Sequence, residues 1–189
     1  MLRDAAINEL KAIYHVLHSD MAAAREIVLN SDTQFARRML VRAFFAFVEG
    51  LAYSMRQVTL ASSQEVSVFS RAELFLLREK KYQIDERGKV LRERDNYLPT
   101  SAGFLFSLRM YPKLHGAEFN PELGAGWEAF KSAQITRDAI THPKSLGKLE
   151  ISDAAFLTFV KASDWGQATL AAMFAACEEA DRKWSELNA

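Results

Sequence analysis

Residues that break helices are scarce in this chain, and this scarcity constrains its fold more than any other feature of the sequence. Its 189 residues include only 4 prolines and 8 glycines. The segments between them are rich in Ala, Leu, Glu, Arg and Phe, most of which favour the α-helix. We therefore expect an all-α protein, a helical bundle of about five to six helices that forms a single domain over residues 1–189.

Capping residues and prolines indicate where the predicted helices begin and end. The run Ser31 to Gln34, and later Ser152, offer side-chain oxygens that can accept hydrogen bonds from the free amide groups at a helix start. Pro143 should end the helix before it, because proline pushes the preceding residue out of the α region. Gly166 is a candidate kink in the last helix. Helices are expected over about residues 3–18 (continuing after a break to 29), 33–60, 62–81, 99–110, 123–141 and 152–187.

The segment near residues 82–94 departs from the helical pattern. Ile84 and Val90 lie on either side of the polar run Glu86 to Lys89, which contains a glycine. Short apolar runs around such a turn are typical of a β-hairpin. We expect a small β-hairpin insert here.

Composition excludes several classes of protein. The formal net charge is zero, which argues against a protein that coats nucleic acid, so any basic site must be local. Cys177 is the only cysteine, so neither an intrachain disulfide nor a cysteine cluster for zinc can form. The amino terminus carries charge early, and no apolar run approaches the roughly 20 residues that span a bilayer. These features predict a cytoplasmic protein that does not enter the membrane.

Familiar catalytic motifs are missing from the sequence. The four histidines do not have zinc-helix spacing, and there is no HExxH, no glycine-rich phosphate loop and no GxSxG. We therefore expect no metal and no cofactor. The remaining candidate is the run RDAITHPK, residues 137–144, at the end of the helix predicted over 123–141.

Helical geometry explains why this run is a candidate for function. At about 100° per residue, Arg137 falls within an apolar stripe, where a guanidinium is costly unless it is paired or serves a function. Asp138 and His142 are four residues apart, so the carboxylate can reach the imidazole and fix its tautomer. The alternatives remain open: Arg137 in a structural ion pair, and His142 as a helix cap. A similar Arg-to-His spacing also occurs from Arg109 to His115. The stripe consists of Trp127, Phe130, Ala133 and Ile140.

The run RDAITHPK resembles the signature of the HEPN superfamily, in which an arginine, a polar residue, a few more residues and a histidine lie near the end of a helix. The preceding WEAFKSAQITRD and the upstream FARRMLVRAFFAFVEG also resemble members of this superfamily, so the resemblance spans about Gln34 to Lys161. It implies a homodimer in which both copies bring their motifs to one cleft. It also implies metal-independent cleavage of RNA through the ribose 2′-hydroxyl, as in toxin or phage-defence ribonucleases.

The resemblance also implies roles for individual residues. His142 would act as general acid or base, and Arg137 would stabilise the charge of the phosphorane. Asp138 would orient the imidazole, and Thr141 and Lys144 would contact phosphate, although a solvated surface position is the simpler interpretation of Lys144.

The helix predicted over 33–60 carries a charged stripe that admits two interpretations. Arg38, Arg42, Glu49 and Arg56 fall near one face, which is most simply a solvated surface. Alternatively, the arginines form a cationic wall for the RNA backbone, and Glu49 pairs with Arg137.

The sequence leaves two further hypotheses about function open. The chain can instead be a non-catalytic helical binding module of the same kind, for a nucleotide or a protein partner. It can also be one half of a pair with an antitoxin resembling a nucleotidyltransferase, as in some members of the superfamily.

Overall fold

The computed structural model describes residues 2–63, 67–81, 84–90 and 94–188. Within these ranges it is an α-helical bundle with almost no sheet, which confirms the predicted fold class. Every helix that the structure describes falls short of the combined length and apolarity needed to cross a bilayer. The helices are α1 (Leu2–Asn30), α2 (Gln34–Ser62), α3 (Arg71–Leu77), α4 (Thr100–Met110), α5 (Ala125–Thr141) and α6 (Asp153–Leu187).

Helices α1 and α2 form a long hairpin joined by residues 31–33. The predicted cap is present, because the Thr33 side chain accepts a hydrogen bond from the Ala36 amide at 3.2 Å. The predicted break after residue 18 is wrong, and α1 is continuous to Asn30. Met21 and Ala24, just beyond the expected break, are buried in the core, so packing favours an uninterrupted helix there.

Helix α2 supplies the centre of the core. Its Phe44 and Phe45 are fully buried and contact rings from the neighbouring helices. The Phe44 and Phe159 ring centroids are 5.6 Å apart, and those of Phe104 and Phe130 are 5.5 Å apart. These contacts join α2, α4, α5 and α6 around one aromatic cluster, which fixes the orientation of α5 relative to α2.

Helices α5 and α6 confirm the boundaries that their end residues predict. Helix α5 ends at Thr141, just before the His142–Pro143 pair, and Ser152 caps α6 by accepting from the Ala155 amide. Helix α6 runs continuously through Gly166, which lies against Phe44. A Cβ at this glycine would be 3.1 Å from the Phe44 ring, so the glycine allows close packing of α6 on α2.

The helix predicted from residue 62 to about 81 is wrong at both ends, because α3 ends at Leu77 and Lys80–Lys81 form a strand. Helix α2 ends at Ser62, residues 64–66 lie outside the described part, and the next helix, α3, is only Arg71–Leu77. Both Ser62 and Ser70 are followed three residues later by a glutamate. At α3 the capping box is complete, with Ser70 and Glu73 each bonding the other's backbone amide.

The hairpin insert is confirmed, with its arms slightly wider than predicted. Strand β1 (Lys80–Lys81) pairs antiparallel with β2 (Arg94–Asp95), and Ile84 bridges Val90. Residues 82–83 and 91–93 lie outside the described part. Asp85 organises the turn by accepting from two backbone amides, and Gly88 adopts a positive φ of 74° that suits glycine.

Candidate active site at the end of the fifth helix

Arg137 lies in a fixed position between α5 and α2. Its guanidinium carbon is 5.4 Å from the centroid of the Phe45 ring, and its side chain is 17% exposed. Glu49 on α2 forms an ion pair with it, which is one part of the alternative interpretation of the charged stripe, and Asp138 forms a second at 3.0 Å. The cost of bringing a guanidinium against an apolar face is therefore offset by two carboxylates and an aromatic ring.

Thr100, the first residue of α4, completes this cluster. Its hydroxyl donates to Oε1 of Glu49 at 2.6 Å and accepts from Arg137 at 3.2 Å. The sequence predicts a helix start here, but no sequence pattern indicates that it meets α2 and α5. The four-residue spacing from Phe45 to Glu49 on α2 does suggest that both share a face, and it could have identified Phe45 as a neighbour of Arg137.

The arginines of α2 do not form the free cationic wall considered above. Arg42 donates to the Ile140 carbonyl at 2.5 Å, and Arg38 donates to the Leu149 carbonyl at 2.9 Å. The last carbonyls of a helix lack partners within that helix, so Arg42 stabilises the end of α5. Arg56 is not on an exposed face, because it is buried in an ion pair with Glu79.

Asp138 does not orient the His142 imidazole in this structure. Its carboxylate bonds Arg137, and the only contact between the two residues is the His142 amide donating to the Asp138 carbonyl at 3.0 Å. The arginine next to Asp138 is the stronger partner because it carries a permanent charge. His142 occupies the capping position of α5, where its side chain is exposed and makes no hydrogen bond or ion pair with any described residue.

The remaining predicted phosphate contacts lie on the same exposed helix end. Thr141 and Lys144 are exposed, and within the described ranges their side chains form no hydrogen bond or ion pair. The structure thus separates the candidate residues into two groups. Arg137, Glu49 and Asp138 form one fixed cluster, while Thr141, His142 and Lys144 extend into solvent beyond it.

The other histidines have structural neighbours. His115, which ends the second Arg-to-His match, lies 2.9 Å from the Asp181 carboxylate on α6. His15 and His18 contact the ring of Tyr14 on α1. Of the four imidazoles, that of His142 is the one without a polar or aromatic partner among the described residues. No three His, Cys, Asp or Glu side chains group together as metal ligands in the described part of the chain.

Comparisons with protein-family models, curated proteins and solved structures return no match to this chain. Any function assigned to this site therefore rests on the geometry of the site itself. That geometry offers a guanidinium held in a fixed position and an imidazole that is free to exchange protons with solvent.

Proposed function

We propose that this chain is a metal-independent endoribonuclease that acts as a homodimer. The observation that carries the proposal is the exposed imidazole of His142, which has no partner among the described residues and lies at the end of the helix that also holds Arg137. An exposed imidazole can take up and give back a proton, whereas a guanidinium suits the charge of an anionic phosphorane.

The reaction follows from these two groups. His142 takes the proton from the ribose 2′-hydroxyl, whose oxygen attacks phosphorus and forms a 2′,3′-cyclic phosphate. The bond from phosphorus to the 5′ oxygen breaks, and that oxygen takes a proton from water and leaves as a hydroxyl, after which the protonated His142 returns its proton to the solvent. Arg137 stabilises the negative charge on the phosphoryl oxygens, and the neighbouring Lys144 contacts the phosphate backbone.

A twofold dimer would bring the Arg137 guanidinium and the His142 imidazole together. Arg137 and His142 are five residues apart, which is about 140° around a helix. Residues at this spacing converge poorly on one helix, so a second copy would bring the histidine of one subunit to the arginine of the other.

The decisive assay is cleavage of single-stranded RNA in the presence of EDTA. We expect His142→Ala to abolish cleavage without changing the melting temperature, and His15→Ala to leave cleavage intact. Mass spectrometry should find 2′,3′-cyclic phosphate ends. Cleavage that depends on a divalent metal, or that persists in His142→Ala, contradicts the proposal.

Mixing two inactive variants tests the shared site directly. In a heterodimer of Arg137→Ala and His142→Ala, one of the two composite sites keeps both wild-type groups. Random exchange of subunits should then restore about one quarter of wild-type activity. No recovery, although co-purification of differently tagged subunits shows mixed dimers, would mean that each chain carries its own site.

A second candidate function is the non-catalytic helical binding module. It is favoured by the contacts of Arg137, which link α5 to Glu49 on α2 and to Thr100 on α4 as a structural ion pair would. In that case Arg137→Ala lowers the melting temperature, and His142→Ala has no effect on any activity. Co-purification from the native host would identify a protein partner, including an antitoxin resembling a nucleotidyltransferase.

A further inference from the structure

A cavity of about 330 Å³ opens next to the Arg137 cluster. It lies between α2, α4 and the segment that leads from the hairpin into α4, and its volume is within the range of small-ligand sites. Glu49 and Thr100 belong both to this cavity and to the Arg137 cluster, so the two are continuous. The lining residues that concern its chemistry are Glu49, Tyr53, Arg56, Glu79, Tyr97 and Thr100.

The inner wall of the cavity carries charged side chains that are already paired with one another. Arg56 and Glu79 form a buried ion pair at 2.8 Å, with side chains only 8% and 7% exposed. Burial lowers the pKa of Arg56, and the neighbouring carboxylate of Glu79 partly offsets this effect. Glu49 is likewise paired with Arg137. Both carboxylates at the cavity are thus paired with an arginine, and Arg137 is shared with Asp138, so the cavity favours a neutral polar group over a phosphate.

Glu49 presents one oxygen for a ligand. Both Arg137 and Thr100 contact its Oε1, and no described residue forms a hydrogen bond with Oε2. The carboxylate is therefore held in position by one oxygen while the other can accept a hydrogen bond. The Glu49 side chain is 43% exposed and lines the cavity, so a ligand there can contact its carboxylate.

Two tyrosines provide aromatic surface at the cavity. Tyr53 is 46% exposed and Tyr97 is 75% exposed, although both line the cavity. Exposed aromatic rings beside a polar pocket are the usual means of stacking an unpaired base.

We propose that this cavity binds one nucleobase of the RNA, and that it selects a base with an exocyclic amino group. Oε2 of Glu49 would accept a hydrogen bond from the amino group, as carboxylates do from cytosine. Uracil would instead place a carbonyl oxygen against the carboxylate, which costs binding free energy because neither group can donate. The assignment of RNA as ligand rests on the proposed ribonuclease function, whereas base selection is read from the cavity alone.

Binding of uncleavable strands tests base selection separately from cleavage. The probes are fluorescein-labelled 2′-O-methyl oligocytidine and oligouridine, which lack the nucleophilic hydroxyl, and the readout is fluorescence anisotropy. We expect wild type to bind oligocytidine about five-fold or more tightly than oligouridine. Glu49→Gln should reduce this ratio toward one, because an amide can accept from cytosine and also donate to uracil.

Matched variants control for charge and for aromatic surface. Glu128→Gln removes the same charge from an exposed position on α5 and should keep the preference. Tyr97→Ala should weaken binding of both strands about five-fold or more, while Trp184→Ala, which removes an exposed ring outside the cavity, should not. Melting temperatures confirm that each variant is folded.

The outcomes distinguish this inference from the ribonuclease proposal. Equal binding of the two strands by wild type, or a preference that survives in Glu49→Gln, overturns base selection whether or not RNA is cleaved. A preference that depends on Glu49, found in a protein that cleaves no RNA, supports the base site and refutes only the nuclease.

Discussion

Replacing Glu79 with glutamine should destabilise the protein far more than the same change at Glu49. Both carboxylates pair with an arginine, but the Arg56–Glu79 pair is buried, whereas Glu49 is 43% exposed to solvent. Removing one member of a buried pair leaves an uncompensated charge and costs about 3–5 kcal/mol. An exposed pair contributes about 0–1 kcal/mol.

The contacts of Arg56 indicate which end of this range of about 3–5 kcal/mol applies to Glu79→Gln. Its Nη2 donates to Glu79 at 2.8 Å, and its Nη1 donates to Ser107 at 2.8 Å and to the Gly103 carbonyl at 3.3 Å. Glutamine can still accept one hydrogen bond, so the loss in Glu79→Gln is mainly electrostatic. We expect the lower end of the range, about 3 kcal/mol. For a domain of this size, that loss lowers the melting temperature by about 6–12 °C.

Urea denaturation followed by circular dichroism measures the effect. Glu79→Gln should shift the midpoint without changing the slope, because the surface exposed on unfolding is unchanged. The double variant Arg56→Met with Glu79→Gln should lose less stability than the sum of the single variants, because it removes the stranded charge. A loss below about 1 kcal/mol in Glu79→Gln, equal to that in Glu49→Gln, would refute the reasoning.

Two further predictions concern packing and pH. Gly126→Ala should cost about 1–3 kcal/mol in urea denaturation, since a Cβ there would lie 2.5 Å from the Trp165 ring. Gly147→Ala, with open space around the added carbon, should change stability by less than about 0.5 kcal/mol, and equal effects would contradict the packing. The lysine that bonds Glu73 lowers the pKa of its carboxyl below the ordinary 4.5, so this pair stabilises the fold above that pH and ceases to do so as the pH falls through the lowered value. The stability difference between wild type and Glu73→Gln should therefore shrink between about pH 6 and about pH 3, and a difference that persists in acid would count against the ion pair.

The sequence predicted those parts of the fold that depend on local physical chemistry. The ends of α5 and α6 follow from Pro143 and Ser152, whose effects act on adjacent residues. The start of α3 could not be chosen in the same way, because Ser62 and Ser70 carry the same capping pattern. Which of the two begins a helix depends on packing that the pattern does not contain.

The candidate site was predictable only in part. Helical spacing places Arg137 on the apolar face of α5, whereas the resemblance to the HEPN superfamily is what suggests Glu49 as its partner, and that pair is present. Spacing also allowed a bond between Asp138 and His142, but the competing arginine one residue away takes the carboxylate. Thr100 comes from a distant part of the sequence, so its place in the cluster depends on tertiary structure.

Through the hydroxyl of Thr100, the hairpin insert affects the Arg137 cluster, although the hairpin itself lies outside that cluster. Residues 96–99 connect β2 directly to the start of α4, so the length of this short connector sets where that hydroxyl sits against Glu49 and Arg137. Insertions or deletions in the connector would therefore alter how tightly the guanidinium is held, even though every charged group of the cluster is unchanged. Sequence changes in residues 96–99 could therefore alter the Arg137 cluster in related chains without replacing any residue of the cluster.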